Sequence, residues 1–337
     1  MKPIHINIKS IITFVFTLSL FVACTDDDGN LIIQNLLDQH KSNLQNISVD
    51  GDNIAYLEYG SGDNVLILLH GIPTSSFLYR DVAPMIAEKT GFRVIALDML
   101  GYGQSDKPIR AGAYSPQAQA ARIYSFATAL GVEEFVLGLH DVGGLIGWAM
   151  FLNDELSRVR GVVVANASPA LANAQGELEG VTPAPLTLEI LTGEKTSREQ
   201  WSQLDDSNFA RQATIEFLEI GFLDDNLITE ELLDAYTEPI ANGAAENFVQ
   251  FFETFGGIFA EGATLQTIFS EFDKPVGLVW GKDDAFFNVE VVPVNLQNQF
   301  SVPDRLFTTI EGAGHYVQEE KPDEYAQAIS DFINNQF

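Results

Sequence analysis

This sequence has almost no thiols, and its cationic side chains are few beside its acidic ones. Its 337 residues include a single cysteine, so no disulfide can form within the chain. Lys and Arg together number 18 against 47 Asp and Glu, which gives a formal net charge of −29. Nucleic-acid binding needs clustered Lys and Arg to neutralise phosphates, and this deficit argues against a partner of that class. The excess of acidic residues predicts a well-solvated surface.

The N-terminal apolar run, Ile11–Ala23, is too short to span a bilayer, which takes about 20 residues. Lys2 and Lys9 precede this run and Cys24 follows it, as in an export signal. The ending LFVAC resembles the bacterial lipobox, in which cleavage leaves a lipid-carrying cysteine at the new N-terminus. An ordinary signal peptide followed by an incidental cysteine is the alternative.

We therefore predict a lipoprotein signal peptide over residues 1–23 and a polar tether over residues 24–45. The protein is then exported to the bacterial cell envelope. It is held at the membrane only through a lipid on Cys24, and the side of the membrane that displays it is left open.

Strand and helix patterns alternate from about residue 46 to residue 168. A hairpin pattern, NISVDGDNIAYLEYG, comes first, and helical patterns such as Gln117–Leu130 lie between later strands. Uninterrupted apolar runs are typical of strands covered on both faces. These runs are Asn64–Gly71, Phe92–Leu100, Phe135–Asp141 and Val159–Ser168. The pattern predicts an α/β fold with a mostly parallel central sheet flanked by helices.

The alternation stops between residues 169 and 262, where helical patterns occur without any buried-strand run. Strand patterns return at Lys274–Gly281 and Arg305–Gly312, and a helix from about Pro322 ends the chain. We therefore predict a core formed by residues 46–168 and 263–337, with a helical insertion over residues 169–262.

The segment LGLHDVGGLIG, residues 137–147, places a charged residue at the end of a buried strand. Gly143 and Gly144 allow a sharp strand-to-helix turn, which lifts the side chain of Asp141 clear of the sheet. A carboxylate is already ionised at neutral pH, so it can attack a saturated carbon that carries a leaving group. Alternatively, Asp141 caps the helix that follows, because Asp is a favoured N-cap residue.

Three further features favour catalysis. The motif HGIPTSSFLYR follows a strand, and the backbone N–H groups of Ile72 and Val142 would form an oxyanion hole. His315 lies in a glycine-flanked loop after the last strand. Either Asp283 or Asp284, after the preceding strand, could orient an imidazole. The chain order of nucleophile, acid and histidine is that of an α/β-hydrolase.

From about residue 45 to its end, the chain resembles the α/β-hydrolase superfamily. Within it, the sequence is most similar to haloalkane dehalogenases, with epoxide hydrolases as near relatives. The motifs that carry the resemblance are HGIPTSSFLYR, DMLGYGQSDKP, HDVGG, GKDD and GAGHYVQEE. The resemblance implies Asp141 as the nucleophile, His315 as the general base and Asp284 as the acid that orients it. It also implies that residues 169–262 form a cap over the active site and that no cofactor or metal is needed.

Two positions depart from the dehalogenase pattern. Dehalogenases usually have tryptophan after the nucleophile, where this chain has Val142, and Asn or Glu where it has Ile72. Trp201 in the cap is the candidate that could hold a departing halide instead, with core packing as the alternative. Epoxide hydrolases usually protonate the ring oxygen with two cap tyrosines, and this cap has only Tyr236.

We predict a hydrolase that acts on a small apolar substrate through an alkyl ester of its aspartate nucleophile. Conversion of small haloalkanes to alcohol and halide is the first hypothesis, and epoxide hydrolysis is the second. A non-catalytic, lipid-tethered binding protein on the same scaffold is the third, because a fold alone does not establish a function.

Overall fold

The computed structural model of the chain describes residues 35–172 and 177–337, together with a short antiparallel ladder that pairs Cys24–Thr25 with Leu31–Ile32. The chain divides into two units, Met1–Asn35 and Leu36–Phe337. The predicted signal peptide lies outside the described residues, so it and the lipid on Cys24 stay predictions. Among the described residues, no helix has the length and hydropathy that a membrane crossing requires.

An eight-stranded sheet forms the centre of the second unit. In chain order its strands are β1 (Gln45–Val49), β2 (Asp52–Tyr59), β3 (Val65–Leu69), β4 (Arg93–Leu97), β5 (Phe135–Asp141), β6 (Val159–Ala167), β7 (Val276–Gly281) and β8 (Phe307–Ile310). Their order across the sheet is β8-β7-β6-β5-β3-β4-β2-β1. Strand β2 runs antiparallel to both of its neighbours and the other pairs are parallel, which confirms the predicted fold class.

The predicted hairpin and the predicted buried strands are present, and their sequence patterns explain their structure. Strands β1 and β2 form the expected hairpin, and Asp50 and Gly51 in its turn both have positive φ, 52° and 90°, as a type I′ turn requires. The apolar run VLILL of β3 is buried on both faces. Its alternate side chains enter two different hydrophobic clusters, as the two-residue period of a strand dictates.

Helices cover both faces of the sheet. On one face, α2 (Val82–Thr90) packs against α14 (Pro322–Gln336). The other face is covered by α3 (Pro116–Ala129), α4 (Gly143–Phe151), α11 (Gly262–Glu271) and α12 (Val292–Gln299). A short helix, α13 (Val317–Glu320), lies between β8 and α14. Residues of the segment between β6 and β7 lie beside Asp141, at the carboxyl end of β5.

That segment contains the predicted helical insertion. Its helices are α5 (Pro185–Leu191), α6 (Ser197–Trp201), α7 (Ser207–Gly221), α8 (Glu230–Ala241), α9 (Ala245–Thr254) and α10 (Gly256–Ala260). Side-chain caps define several of their starts, as the polar residues before each apolar pattern suggest. Thr196 and Glu199 form a capping box at α6, and Asp206 caps α7.

The predicted tether extends too far into the chain. Helix α1 (Leu36–Asn43) lies within residues 24–45 and packs on α8. Leu37 and His40 are buried, and Lys41 forms an ion pair with Glu238 of α8 at 2.5 Å. Residues 36–45 thus belong to the folded domain, and the N–H of Leu36 also donates to Glu231 of α8 at 2.7 Å.

Candidate active site

Asp141 ends β5 with its backbone in the left-handed region, at a φ of 50°. Such a conformation costs a non-glycine residue about 1–3 kcal/mol and persists only where the surroundings enforce it. Two glycines let the neighbouring backbone come close enough. A Cβ on Gly71 would lie 2.2 Å from the Cβ of Asp141, and a Cβ on Gly143 would lie 2.6 Å from the carbonyl oxygen of His70. The sharp turn predicted from HDVGG is therefore present.

The carboxylate of Asp141 is bound by backbone N–H groups and does not cap the helix. Its Oδ2 accepts a hydrogen bond from the N–H of Ile72 at 2.7 Å, and the N–H of Val142 also donates to the carboxylate. Helix α4 has Val142 as its N-cap, without a side-chain capping bond. Burial raises the pKa of Asp141, and His315 together with these two donors partly offsets that rise.

The imidazole of His315 lies between two carboxylates. Its Nδ1 is 3.3 Å from Oδ2 of Asp284, and its Nε2 is 3.8 Å from Oδ1 of Asp141. Burial alone would lower the pKa of His315. The negative charges of Asp284 and then Asp141 outweigh burial, so the pKa of His315 lies above its ordinary value of 6.5.

Of the two adjacent aspartates after β7, Asp284 faces the histidine and Asp283 is exposed. Oδ1 of Asp284 accepts hydrogen bonds from the N–H groups of Phe286 and Phe287, at 2.9 and 3.1 Å. These bonds fix the carboxylate so that its other oxygen points at the imidazole.

Asn166, in β6, is a residue of the site that the sequence analysis missed. Its side-chain amide donates to Oδ2 of Asp284 at 2.8 Å, and its Oδ1 accepts from the N–H of Gly281 at 3.0 Å. The side chain is fully buried, and the backbone has a φ of 44°, which Asn tolerates better than most residues. The sequence signal that could have identified Asn166 is its position as a polar residue within the apolar run VVVANAS.

A cavity of about 100 Å³ lies beside Asp141 and His315. The insertion supplies much of its wall, with apolar side chains such as Leu191, Phe217, Phe251, Phe252, Phe255 and Phe259. Apart from the aspartate and the histidine, its polar lining within residues 35–172 and 177–337 consists of Ser168, Thr182 and Thr187. A small pocket of this polarity suits a small apolar substrate. The same ranges contain no group of three His, Cys, Asp or Glu that could hold a metal ion.

The structure does not bring Trp201 or Tyr236 into this cavity. Trp201 is fully buried and stacks on Phe217 and Phe252, one layer behind the cavity wall. Its indole N–H has no hydrogen-bond partner in the described part of the chain. The hydroxyl of Tyr236 donates to Glu319 at 2.5 Å. The assignment of these two side chains to the leaving group therefore does not fit this arrangement, and both serve as packing residues.

A strand-to-helix turn that presents an acidic residue, with an acid and a histidine after later strands, is the site of an α/β-hydrolase. Residues 64–322 match the family described as the alpha/beta hydrolase fold. The chain belongs to this family, and the protein is a hydrolase.

Relatives of both predicted kinds are among the proteins that this chain is similar to. Haloalkane dehalogenase 2 of Mycobacterium bovis is 30% identical to this chain over 283 residues, which cover 82% of this chain and 90% of the relative. Epoxide hydrolase 3 of Xenopus tropicalis is 25% identical over 305 residues, covering 86% of this chain and 78% of the relative. The solved structure of Cfl2 from Burkholderia cenocepacia, 21% identical, covers 86% of this chain and 95% of its own with a TM-score of 0.71, a likeness of fold alone. These findings confirm the predicted resemblance.

Proposed function

We propose that the protein hydrolyses small haloalkanes to alcohol and halide through an alkyl ester of Asp141. Oδ1 of Asp141 attacks the carbon that bears the halogen, and the halide leaves with the electrons of the broken bond. A water molecule then gives a proton to Nε2 of His315 while its oxygen attacks Cγ of the ester. Cleavage of the Cγ–Oδ1 bond releases the alcohol, which takes up that proton from His315. The second proton of the water is lost from the new carboxylic acid to solvent, and the carboxylate of Asp141 is restored.

The observation that carries this proposal is the unequal environment of the two carboxylate oxygens of Asp141. Oδ2 is bound by the N–H of Ile72, so it is already where an oxyanion would be stabilised. Oδ1 is 3.8 Å from Nε2 of His315, beyond hydrogen-bond distance, and remains available for attack. Oδ1 is thus suited to form the ester, and Oδ2 is suited to carry negative charge when water attacks Cγ of that ester.

The polarity of the cavity favours a halide over an epoxide oxygen as the leaving group. An epoxide opens to a strongly basic alkoxide, which needs a proton from a nearby acid, whereas a halide leaves unprotonated. No tyrosine lines the cavity among the residues that the structure describes. A halide does need hydrogen-bond donors in a buried site, and the hydroxyls of Ser168, Thr182 and Thr187 are available there. The similarity to Epoxide hydrolase 3 keeps epoxides as the second candidate.

A parallel assay of halide release and diol formation on small haloalkanes and epoxides tests the proposal. We expect halide release, with little diol from epoxides. Diol without halide would instead support the second candidate, and neither product would support a non-catalytic binding protein.

A trapping variant tests the intermediate. With a substrate that the wild type turns over, H315Q should accumulate one alkyl group on the peptide that contains Asp141, and D141N should accumulate none. Mass spectrometry that finds unmodified H315Q would contradict the mechanism.

A further inference from the structure

One carboxylate outside the cavity holds the loop that carries the histidine. Glu320, the last residue of α13, accepts a hydrogen bond at 2.6 Å from the N–H of Gly314. It also accepts from the N–H groups of Leu223 and Asp224, at 2.7 and 3.2 Å. Gly314 directly precedes His315, and Leu223 and Asp224 follow α7 of the cap. A single side chain therefore bonds the backbones of the histidine loop and the cap.

These two segments are in close contact where Glu320 joins them. The backbone N–H of His315 donates to the carbonyl oxygen of Gly221, the last residue of α7, at 2.7 Å. A Cβ on Gly314 would lie 2.4 Å from that same oxygen. No side chain separates the two backbones here, so the position of the imidazole depends directly on the end of α7.

The charge of Glu320 is partly withdrawn from water. Burial raises the pKa of Glu320, and the N–H donors of Gly314, Leu223 and Asp224 partly offset that rise. Glu320 also contributes, after Asp284 and Asp141, to the raised pKa of His315.

We propose that Glu320 is a positioning residue for the ester-hydrolysis step. It fixes His315 by accepting hydrogen bonds from backbone N–H groups of both the cap and the histidine loop, where these two segments are in contact. This inference rests on the aspartyl-ester reaction proposed above. His315 acts on water only in the second step, so loss of Glu320 should slow hydrolysis of the ester and leave the attack by Asp141 unchanged. A residue that only stabilised the fold would affect both steps alike.

The variant E320Q tests this separation of the two steps. Glutamine keeps the shape of the side chain, but its NH₂ group cannot accept from a backbone N–H. In rapid-quench experiments we expect a halide burst of one equivalent at the wild-type rate. Ester hydrolysis should be slower by about 10- to 100-fold, the effect of a displacement near 1 Å. E324Q, an exposed glutamate of α14, is the matched control and should behave as wild type.

The burst amplitude counts folded active sites, so partial unfolding of E320Q lowers the amplitude without changing the ratio of the two rates. The inference is overturned if the ratio of the rates of halide release and ester hydrolysis is that of the wild type in both E320Q and E320A. An equal slowing of both steps also overturns it. If H315Q traps the ester while E320Q hydrolyses it normally, the proposed role of Glu320 is wrong and the proposed function still stands. If no alkyl group ever forms on H315Q, the proposed function fails and this inference with it.

Discussion

Replacement of Asn166 by alanine should destabilise the protein and slow ester hydrolysis together. The change removes the amide that donates to Asp284 at 2.8 Å and accepts from the N–H of Gly281 at 3.0 Å. A buried donor left without a partner costs about 1–3 kcal/mol, and a hydrogen bond to a charged acceptor contributes about 1.5–3 kcal/mol. We therefore expect the free energy of unfolding to fall by about 2.5–6 kcal/mol, a large part of the 5–15 kcal/mol typical of a domain.

Urea denaturation, followed by the fluorescence of the buried tryptophans, measures the loss of stability in N166A. Rapid-quench kinetics measures ester hydrolysis in the same preparation, and we expect it to slow because Asp284 loses one of the bonds that orient it. The exposed Asn298 of α12 offers the matched control N298A, which should change neither quantity. A loss below about 1 kcal/mol, under the lower limit for a single unsatisfied donor, would refute the reasoning about Asn166.

Further predictions concern the geometry of the site, the charge of the site and the N-terminal segment. G71A places a Cβ 2.2 Å from the Cβ of Asp141, so single-turnover halide release should fall by about 100-fold or more, and a wild-type rate would contradict the packing. The pKa of His315 is raised, so NMR should find this histidine titrating above pH 6.5 in the free enzyme. The stabilisation that comes from this raised pKa is complete at low pH, and it should be lost as the pH rises through the pKa of the folded protein. Because the ester removes the charge of Asp141, the rate of ester hydrolysis in the wild-type protein should increase with pH at a midpoint below the pKa of His315 in the free enzyme. An unshifted or higher midpoint would count against the electrostatic account. C24S should move the exported protein from the membrane pellet to the soluble fraction on ultracentrifugation, and continued sedimentation would exclude a lipid anchor at this position.

The fold could be predicted because its determinants are local. Continuous apolar runs predicted the buried parallel strands, and the glycines of HDVGG predicted the turn at Asp141, since only small residues permit so close an approach. The residues after β7 left Asp283 and Asp284 as alternatives, and the family resemblance selected Asp284, which is the carboxylate that faces His315 in the structure.

Other features depend on contacts that no local pattern reveals. The sequence indicated that the insertion is helical, but not which side of each helix faces the cavity. Trp201 and Tyr236 were therefore candidates for contact with the leaving group, with core packing as the alternative for Trp201, and both pack outside the cavity. Asn166 was hidden in a strand pattern, because its role depends on a carboxylate more than a hundred residues away in the chain. The predicted tether included residues 36–43, which form α1, because the contacts that hold this helix, such as Lys41 with Glu238, join segments far apart in the chain.

A single turnover in H₂¹⁸O tests the proposed covalent mechanism most directly. If water attacks Cγ of an alkyl ester on Asp141, the alcohol carries the original oxygen of the aspartate. Mass spectrometry should then find ¹⁸O in the peptide that contains Asp141 and none in the first equivalent of alcohol. Label in that alcohol, with an unlabelled peptide, would mean that water attacks the substrate directly and would contradict the account.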